Sequence, residues 1–359
     1  MHKDMILRAA FLQVTAVLIL FCSCAPDTSL EEQAKSIHET AIVIDADAHP
    51  KPGAAETLNL GEKTEGFEID FVTMKEGGLD AVFFSVPLLR SRSEGRPDPA
   101  EILEEIGSLV HEVERNGDLA EIALSSSEIR RIHALGKRAV LLGMETQDPF
   151  GGDIGTLAQY HTAGIRMITL TPEFLTAPDS AQEVQSDSSL SDFDKWIIEE
   201  MNRLGMIIDV SHTSDGQQME IIRTSDKPVV ASHSCARALN DIPREISDLN
   251  IQALVEKGGV VCVTFFPGHI SSDFPDRTVT IGDLVDHIDH LVRIAGVDHV
   301  GFGSDFLGGD AHTLGLESAA GLPDLTSALL ERDYSPTEIE KILGGNLLRL
   351  IEEVQESGG

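Results

Sequence analysis

The chain has 359 residues, 42% of them hydrophobic and 24% charged, which suffices for a large buried core and excludes an intrinsically disordered protein. Its 60 acidic and 27 basic side chains leave a formal net charge of -33, so neither nucleic acid nor an anionic lipid surface is an expected partner. The 4 cysteines form no CxxC pair, which argues against a cysteine-based zinc site.

In chain order, Lys3 and Arg8 precede the apolar run "AAFLQVTAVLILF", too short to span a bilayer comfortably, and "FCSCAP" follows. This resembles a bacterial lipoprotein signal: residues 1–23 would be removed and Cys24 lipidated, although Phe21 stands where Leu is usual. An ordinary cleaved secretory signal is the alternative. Either way the expectation is an exported protein, and with the lipid it would sit on the bacterial cell envelope, anchored through Cys24 alone. Residues 24–34 read as a polar tether and 35–357 as one folded domain.

Within that domain, apolar runs recur at "AIVIDA", "LDAVFFSV", "RAVLLGME", "IRMITLT", "MIIDVSH", "PVVASHS", "VVCVTFF" and "HVGFGSD". Segments between them, such as "DPAEILEEIGSLVHEVER", "FDKWIIEEMNRL" and "LNIQALVEKG", carry helix-period apolar residues. Near-continuous apolar strands alternating with helices predict a parallel sheet covered on both faces, and eight such units predict a (β/α)8 TIM barrel. An open doubly wound sheet finds no support, because no GxGxxG follows the first strand. In the closing stretch "SPTEIEKILGGNLLRLIEEV", Ser335 reads as an N-cap, Pro336 as the first helical residue and Glu338 as the partner in a capping box. Gly344 and Gly345 are candidates to break that stretch into two helices. The polar loop "APDSAQEVQSDSSL" is expected to be mobile, and a disulfide between Cys235 and Cys262 has nothing to support it.

Ionisable residues at the C-terminal ends of barrel strands converge on one mouth. Asp47 and His49 follow the first apolar run, Glu145 the third, His212 the fifth, His233 the sixth and Asp305 the eighth. A lone His or Asp in such a place is usually a satisfied structural residue; six at the same end of successive strands are hard to explain that way. Imidazole with carboxylate suits zinc or a similar divalent ion, and a shared Glu suits a two-metal centre with ions roughly 3.5–4 Å apart.

The order of these residues, with "MNRLGMIIDVSH", "PVVASHSCARAL", "GGVVCVTFFP", "VGFGSDF" and "ILGGNLLRL", resembles the membrane dipeptidase (renal dipeptidase) family, peptidase family M19. The resemblance implies that Glu145 in "LLGMETQD" bridges two divalent ions, most commonly zinc, and that His212 and His233 complete one site. It implies that Asp305 transfers protons between the bridging water and the leaving amine, and that Arg244 in "DIPREISD" binds the substrate's terminal carboxylate. The family has His-x-Asp at the first strand end, whereas this chain has Asp47-Ala48-His49. Both side chains can still face the mouth, but with the shorter carboxylate first either the metal must move or the strand end must re-aim.

Pro172 in "LTPEF" replaces a family His, Phe266 stands where a substrate-lining Tyr is common, and Glu245 follows Arg244 where Asn is preferred. These departures bear on the substrate more than on the metal. His269, His287, His290, His299 and His312 are expected to be solvated or structural. The implied activity is hydrolysis of the amide bond of dipeptides with a free C-terminal carboxylate by hydroxide generated on the ions, in a protein that is often a homodimer. The alternatives are an amidohydrolase acting on another amide or a lactam, and a catalytically weakened binding homologue.

Overall fold

The computed structural model describes residues 29–50, 59–63, 66–86, 98–147, 150, 153, 155–171, 190–307 and 311–355. The signal segment with Cys24, Pro172 and the polar loop up to Ser189 lie outside the described residues. The first helix, Leu30–Thr40, coincides with the sequence "LEEQAKSIHET" that reads as helical and buries Ala34, Ile37 and His38.

The described strands are β1 (Ile44–Ala48), β2 (Ala81–Val86), β3 (Ala120–Ile122), β4 (Arg138–Gln147), β5 (Ile165–Thr171), β6 (Ile207–Asp209), β7 (Val230–Ala231), β8 (Val260–Val263) and β9 (Val300–Phe302). All pair in parallel, in the order β1-β2-β4-β5-β6-β7-β8-β9. The wall closes where Ala48 meets Phe306: His49 N donates to Phe306 O at 2.9 Å and Asp305 N to Asp47 O at 2.9 Å. This is the expected (β/α)8 barrel, with every predicted strand represented. The addition is β3, which pairs with the first residues of β4 on the edge that β5 takes over further along. Sequence pattern did not reveal it, since "AEI" is too short to show a period.

Alternate strand residues divide between two cores. Ile44, Phe83, Leu141, Met167, Ile207, Val230 and Val260 pack together from successive strands, as side chains can only inside a closed barrel, and Leu347, Leu350 and Ile351 of the last helix join them. Val82, Phe84, Val140, Ile168 and Val261 face the other way, onto surrounding helices that contribute Ile102, Leu157, Ile198 and Leu284. Ser335 accepts from Glu338 N, and Glu338 Oε2 accepts from Ser335 N at 2.8 Å, forming the predicted capping box. Gly344 does interrupt the closing stretch, leaving helices Pro336–Glu340 and Asn346–Gln355 with one widened turn between them. Its lack of a side chain lets this turn press on β1, where a Cβ would lie 2.1 Å from Ile42 O.

Candidate metal centre

The same period of two that builds the barrel interior also builds the mouth. Ser85, Thr169, Asp209 and Ser232 each follow an interior apolar residue (Phe83, Met167, Ile207, Val230) by two positions, and Glu145 follows Leu141 by four. All therefore point inward towards the mouth, from the C-terminal part of their strands or just beyond it. β1 achieves this differently. Asp45 pairs with Val82 but Ala48 with Phe84, so β1 carries one residue more than its partner between these points. Such a bulge re-aims a side chain, and Asp47 turns to accept a hydrogen bond from Ser85 Oγ. With this bulge Asp47 and His49 both reach one cation-sized group.

The side chains converge. His49 Nε2 lies 3.2 Å from Asp47 Oδ2, 3.5 Å from Glu145 Oε2 and 3.6 Å from Asp305 Oδ1. Glu145 Oε1 is 3.0 Å from His212 Nε2, and its Oε2 is 4.0 Å from His233 Nε2. The two histidines face each other with Nε2 atoms 2.8 Å apart. Three overlapping groups could each hold a cation: Asp47–His49–Glu145, Glu145–His212–His233 and Asp47–His233–Asp305. Glu145 is common to the first two and spans the centre from within β4 rather than from its end.

Two carboxylates behind the centre hold these residues in place. Asp209 Oδ1 accepts from Ser211 N (3.0 Å) and Ser232 N (2.8 Å), and its Oδ2 accepts from Thr169 Oγ1 (2.7 Å) and Ser232 Oγ (2.6 Å). Asp45 treats Ser304 in the same way, accepting from its N at 2.8 Å and its Oγ at 2.6 Å. With its proton given to Asp209, Ser232 Oγ accepts from His233 Nδ1 at 2.7 Å, which leaves the His233 Nε2 lone pair aimed into the centre. His212 (φ 64°) and Asp305 (φ 58°) occupy left-handed backbone that non-glycine residues adopt infrequently, a conformation the surrounding structure must enforce. Gly303 lets the chain before Asp305 pass against the residue before His233, since a Cβ there would lie 1.9 Å from Ser232 O.

Burial, then the nearby Arg244, hold the His233 imidazole well below its usual range, so it is neutral and able to ligate. Burial would also lower His49, but Asp47, Glu145 and Asp305 outweigh it and hold its proton up to about 10. Burial pushes Asp305 well above the carboxylate range. At Glu145 burial is outweighed by His212, His233 and His49, which hold it well below that range. A proton on His49 is therefore the positive charge these carboxylates gather, and a divalent ion would compete for that place. Among the described residues Asp47 Oδ2 and His49 Nε2, both buried, make no well-aligned hydrogen bond and meet each other only as an ion pair at 3.2 Å, so the donor set fits a divalent cation with imidazole and carboxylate ligands.

Arg244 reaches the same mouth. Its Nη2 donates to His233 O at 2.8 Å and lies 3.3 Å from His212 Nε2, and its Nη1 donates to Ser234 Oγ at 3.1 Å. Behind it, fully buried Glu245 accepts from Cys235 N, and burial pushes its carboxyl up to about 7. His269 meets Phe266 edge-on with ring centroids 4.9 Å apart and lies 4.0 Å from Glu245 Oε1, its buried Nδ1 without a hydrogen-bond partner among the described residues. His287 is buried between Ala236 N and Ile270 O, while His290, His299 and His312 pair with Asp248, Gly259 O and Glu68. Among the described residues Cys235 and Cys262 form no disulfide. Sequence reasoning missed Ser85, Asp209, Ser232 and Ser304 as supports. The last three lay within "DVSH", "ASHS" and "GSDF", and Ser85 was the polar residue of an otherwise apolar run.

The sequence profile of the membrane dipeptidases (peptidase family M19) matches residues 31–358. The chain belongs to that family. It is a metal-dependent dipeptidase. Dipeptidase tcpJ of Claviceps purpurea (strain 20.1) is 31% identical over 297 residues, which cover 80% of this chain and 69% of that protein. Among solved structures, the probable dipeptidase PvdM of Pseudomonas aeruginosa superposes with a TM-score of 0.78 at 25% identity, over 91% of this M19 chain and 99% of that one. A metallopeptidase of Rhodobacter sphaeroides, solved with a phosphinate mimic of the dipeptide L-Ala-D-Ala, shares the fold with a TM-score of 0.75 at 24% identity, over 88% of this chain and 99% of that one.

Proposed function

We propose that this M19 dipeptidase uses two divalent ions, zinc foremost, held by Asp47 and His49 on one side and His212 and His233 on the other, with Glu145 shared. The observation that carries this reading is the convergence of five such side chains on overlapping groups with Glu145 common to two of them. Bound ions would supply Lewis acidity, polarising the scissile carbonyl and bringing the pKa of a water towards 7. Asp305, 3.6 Å from His49 and raised by burial, is suited to hold a proton on Oδ1 and deliver it to the leaving nitrogen. Arg244 offers a guanidinium able to bind a substrate carboxylate with two parallel hydrogen bonds, which would restrict substrates to dipeptides with a free C-terminus.

The test is a dipeptide against its C-terminally amidated counterpart, with wild type and Arg244→Lys. Lys cannot reproduce the paired hydrogen bonds. The substitution should lower kcat/KM for the free dipeptide about 10-fold or more, leave metal content intact, and hardly affect the already poor amide. Equal sensitivity of the two substrates would remove Arg244 from the site. Export and a lipid on Cys24 belong to the same reading, motivated by the n-region, the apolar run and "FCSCAP". Mass spectrometry of the native membrane fraction should find an acylated Cys24, and soluble protein retaining Met1 would refute it. A homodimer is part of the proposal on family grounds, and light scattering that finds a monomer would remove it.

A further inference from the structure

The two ends of the centre differ in charge. Asp47 and Glu145 lie 3.2 and 3.5 Å from His49 Nε2, with the Asp305 carboxyl at 3.6 Å and shared with the group that Asp47 and His233 form. At the other end His212 and His233 have Glu145 between them, and the buried Arg244 guanidinium lies 3.3 Å from His212 Nε2, fixed there by His233 O and Ser234 Oγ. Asp47 approaches His233 as well, at 3.7 Å, but on the Nδ1 side that Ser232 holds, away from the Nε2 that faces the centre. A dication at His212 and His233 would thus face a fixed positive charge a few ångströms away in a low-dielectric site, where repulsion is strong. A carboxylate on that guanidinium would cancel it.

We propose that the two metal positions are unequal, and that the position at His212 and His233 fills cooperatively with a substrate carboxylate bound to Arg244, each raising the affinity of the other. This rests on the two-ion reading above and on Arg244 as the carboxylate partner. Arg244 then both selects substrates with a free carboxylate and keeps the second position weak until one arrives. Thermodynamic reciprocity requires the coupling factor to be the same measured from either ligand.

The experiment titrates metal-free full chain with Zn2+ against a chromophoric chelator, alone, with N-acetylglycine, and with N-acetylglycinamide. N-acetylglycine presents a carboxylate without a chelating amine, and its amide lacks the charge. The first Zn2+ should bind at least ~10-fold more tightly than the second, and N-acetylglycine should tighten the second ~10-fold while the amide does not. Arg244→Gln should tighten the second ion without N-acetylglycine and abolish the response to it. Independently of any variant, wild type loaded with two Zn2+ should bind N-acetylglycine more tightly than wild type loaded with one, by the same factor. Two ions bound identically with and without N-acetylglycine, or equal responses to acid and amide, would overturn the coupling and leave the two-ion reading standing. A single Zn2+ under every condition, Arg244→Gln included, would overturn both.

Discussion

Asp209→Asn is the substitution that isolates how the barrel prepares His233. Asp209 is fully buried and accepts four hydrogen bonds, two from backbone N–H groups and two from hydroxyls. Replacement by Ala would strand all four donors at ~1–3 kcal/mol each, and unfolding would obscure the effect on the centre. Asn keeps the shape and one carbonyl oxygen for the two backbone donors. Its amide, placed where Oδ2 was, now donates to Thr169 Oγ1 and Ser232 Oγ. Ser232 no longer has a carboxylate for its proton and can turn it towards His233 Nδ1, 2.7 Å away. The imidazole proton then moves to Nε2, the atom aimed at the centre.

Loss of such a support typically weakens metal binding 10–100-fold, about 1.4–2.7 kcal/mol. Global stability should fall by only about 1–3 kcal/mol, since each hydrogen-bonding group retains a partner. Zn2+ competition against a chelator measures the first quantity and urea unfolding the second. Nitrogen-15 shifts of the His233 ring report the tautomer directly. Wild-type affinity for both ions, with the His233 proton still on Nδ1, would refute the relay from Asp209 through Ser232.

The shared position of Glu145 predicts that Glu145→Ala loses both ions while His49→Ala loses chiefly one, as metal analysis of purified protein would show; near-full occupancy in the Glu145 variant would contradict the bridge. Burial raises the Glu245 carboxyl to about 7 from an ordinary value of 4.5, so its contribution to stability is full below about pH 4.5 and is lost as pH rises through 7, by up to about 3 kcal/mol. Glu245→Gln should therefore gain on wild type between pH 4 and pH 8 in urea unfolding of the metal-free protein, and a constant difference would show that the carboxyl does not titrate in that window. Restoring the family order with Asp47→His plus His49→Asp should weaken Zn2+ binding, because an imidazole must enter a fully buried position shaped for a carboxylate on Ser85, with about 1–3 kcal/mol of overpacking. Each single change should weaken it more by duplicating one ligand type, and equal affinity in all four proteins would exclude both residues as ligands.

Much of this architecture was legible in the sequence because the signals were redundant. Eight apolar runs separated by helix-period segments fit few folds, and the ionisable residues closing them could only meet at the barrel mouth. What stayed hidden has physical reasons. The predicted strands ran on through His212, His233 and Asp305, whereas β6 stops at Asp209, β7 at Ala231 and β9 at Phe302. The residues after these ends still make single backbone hydrogen bonds to the neighbouring strand, as Val210 N does to Val230 O at 2.8 Å and Gly303 N to Val263 O at 3.0 Å, so where the regular ladder stops depends on the partner strand and not on local composition. The bulge in β1 was also invisible, because it depends on the register against β2 and not on the residues of β1 alone. The meeting of Arg244 with His212 is a long-range contact between two loops, which no local pattern encodes.

Where the regular ladders end, side chains reinforce the backbone bonds that remain. Asp209 stands to Ser232 as Asp45 stands to Ser304: in both pairs one carboxylate oxygen takes the serine N–H at 2.8 Å and the other takes its hydroxyl at 2.6 Å. In both, the first oxygen also accepts from the N–H two residues further along the chain, Ser211 at 3.0 Å and Asp47 at 3.2 Å. Each clamp ends immediately before a working residue, His233 in one case and Asp305 in the other. Single backbone hydrogen bonds still tie these segments to the wall, Ser234 N to Cys262 O at 2.8 Å and Asp305 N to Asp47 O at 2.9 Å, and the clamps support the chain beside the left-handed backbone at His212 and Asp305. A carboxylate clamp fixes the neighbouring residue while leaving the next one free to turn inward. The short strands β6, β7 and β9 and the two buried aspartates therefore act together, the regular ladder giving way to single backbone bonds and carboxylate clamps where the last side chains are aimed at the centre.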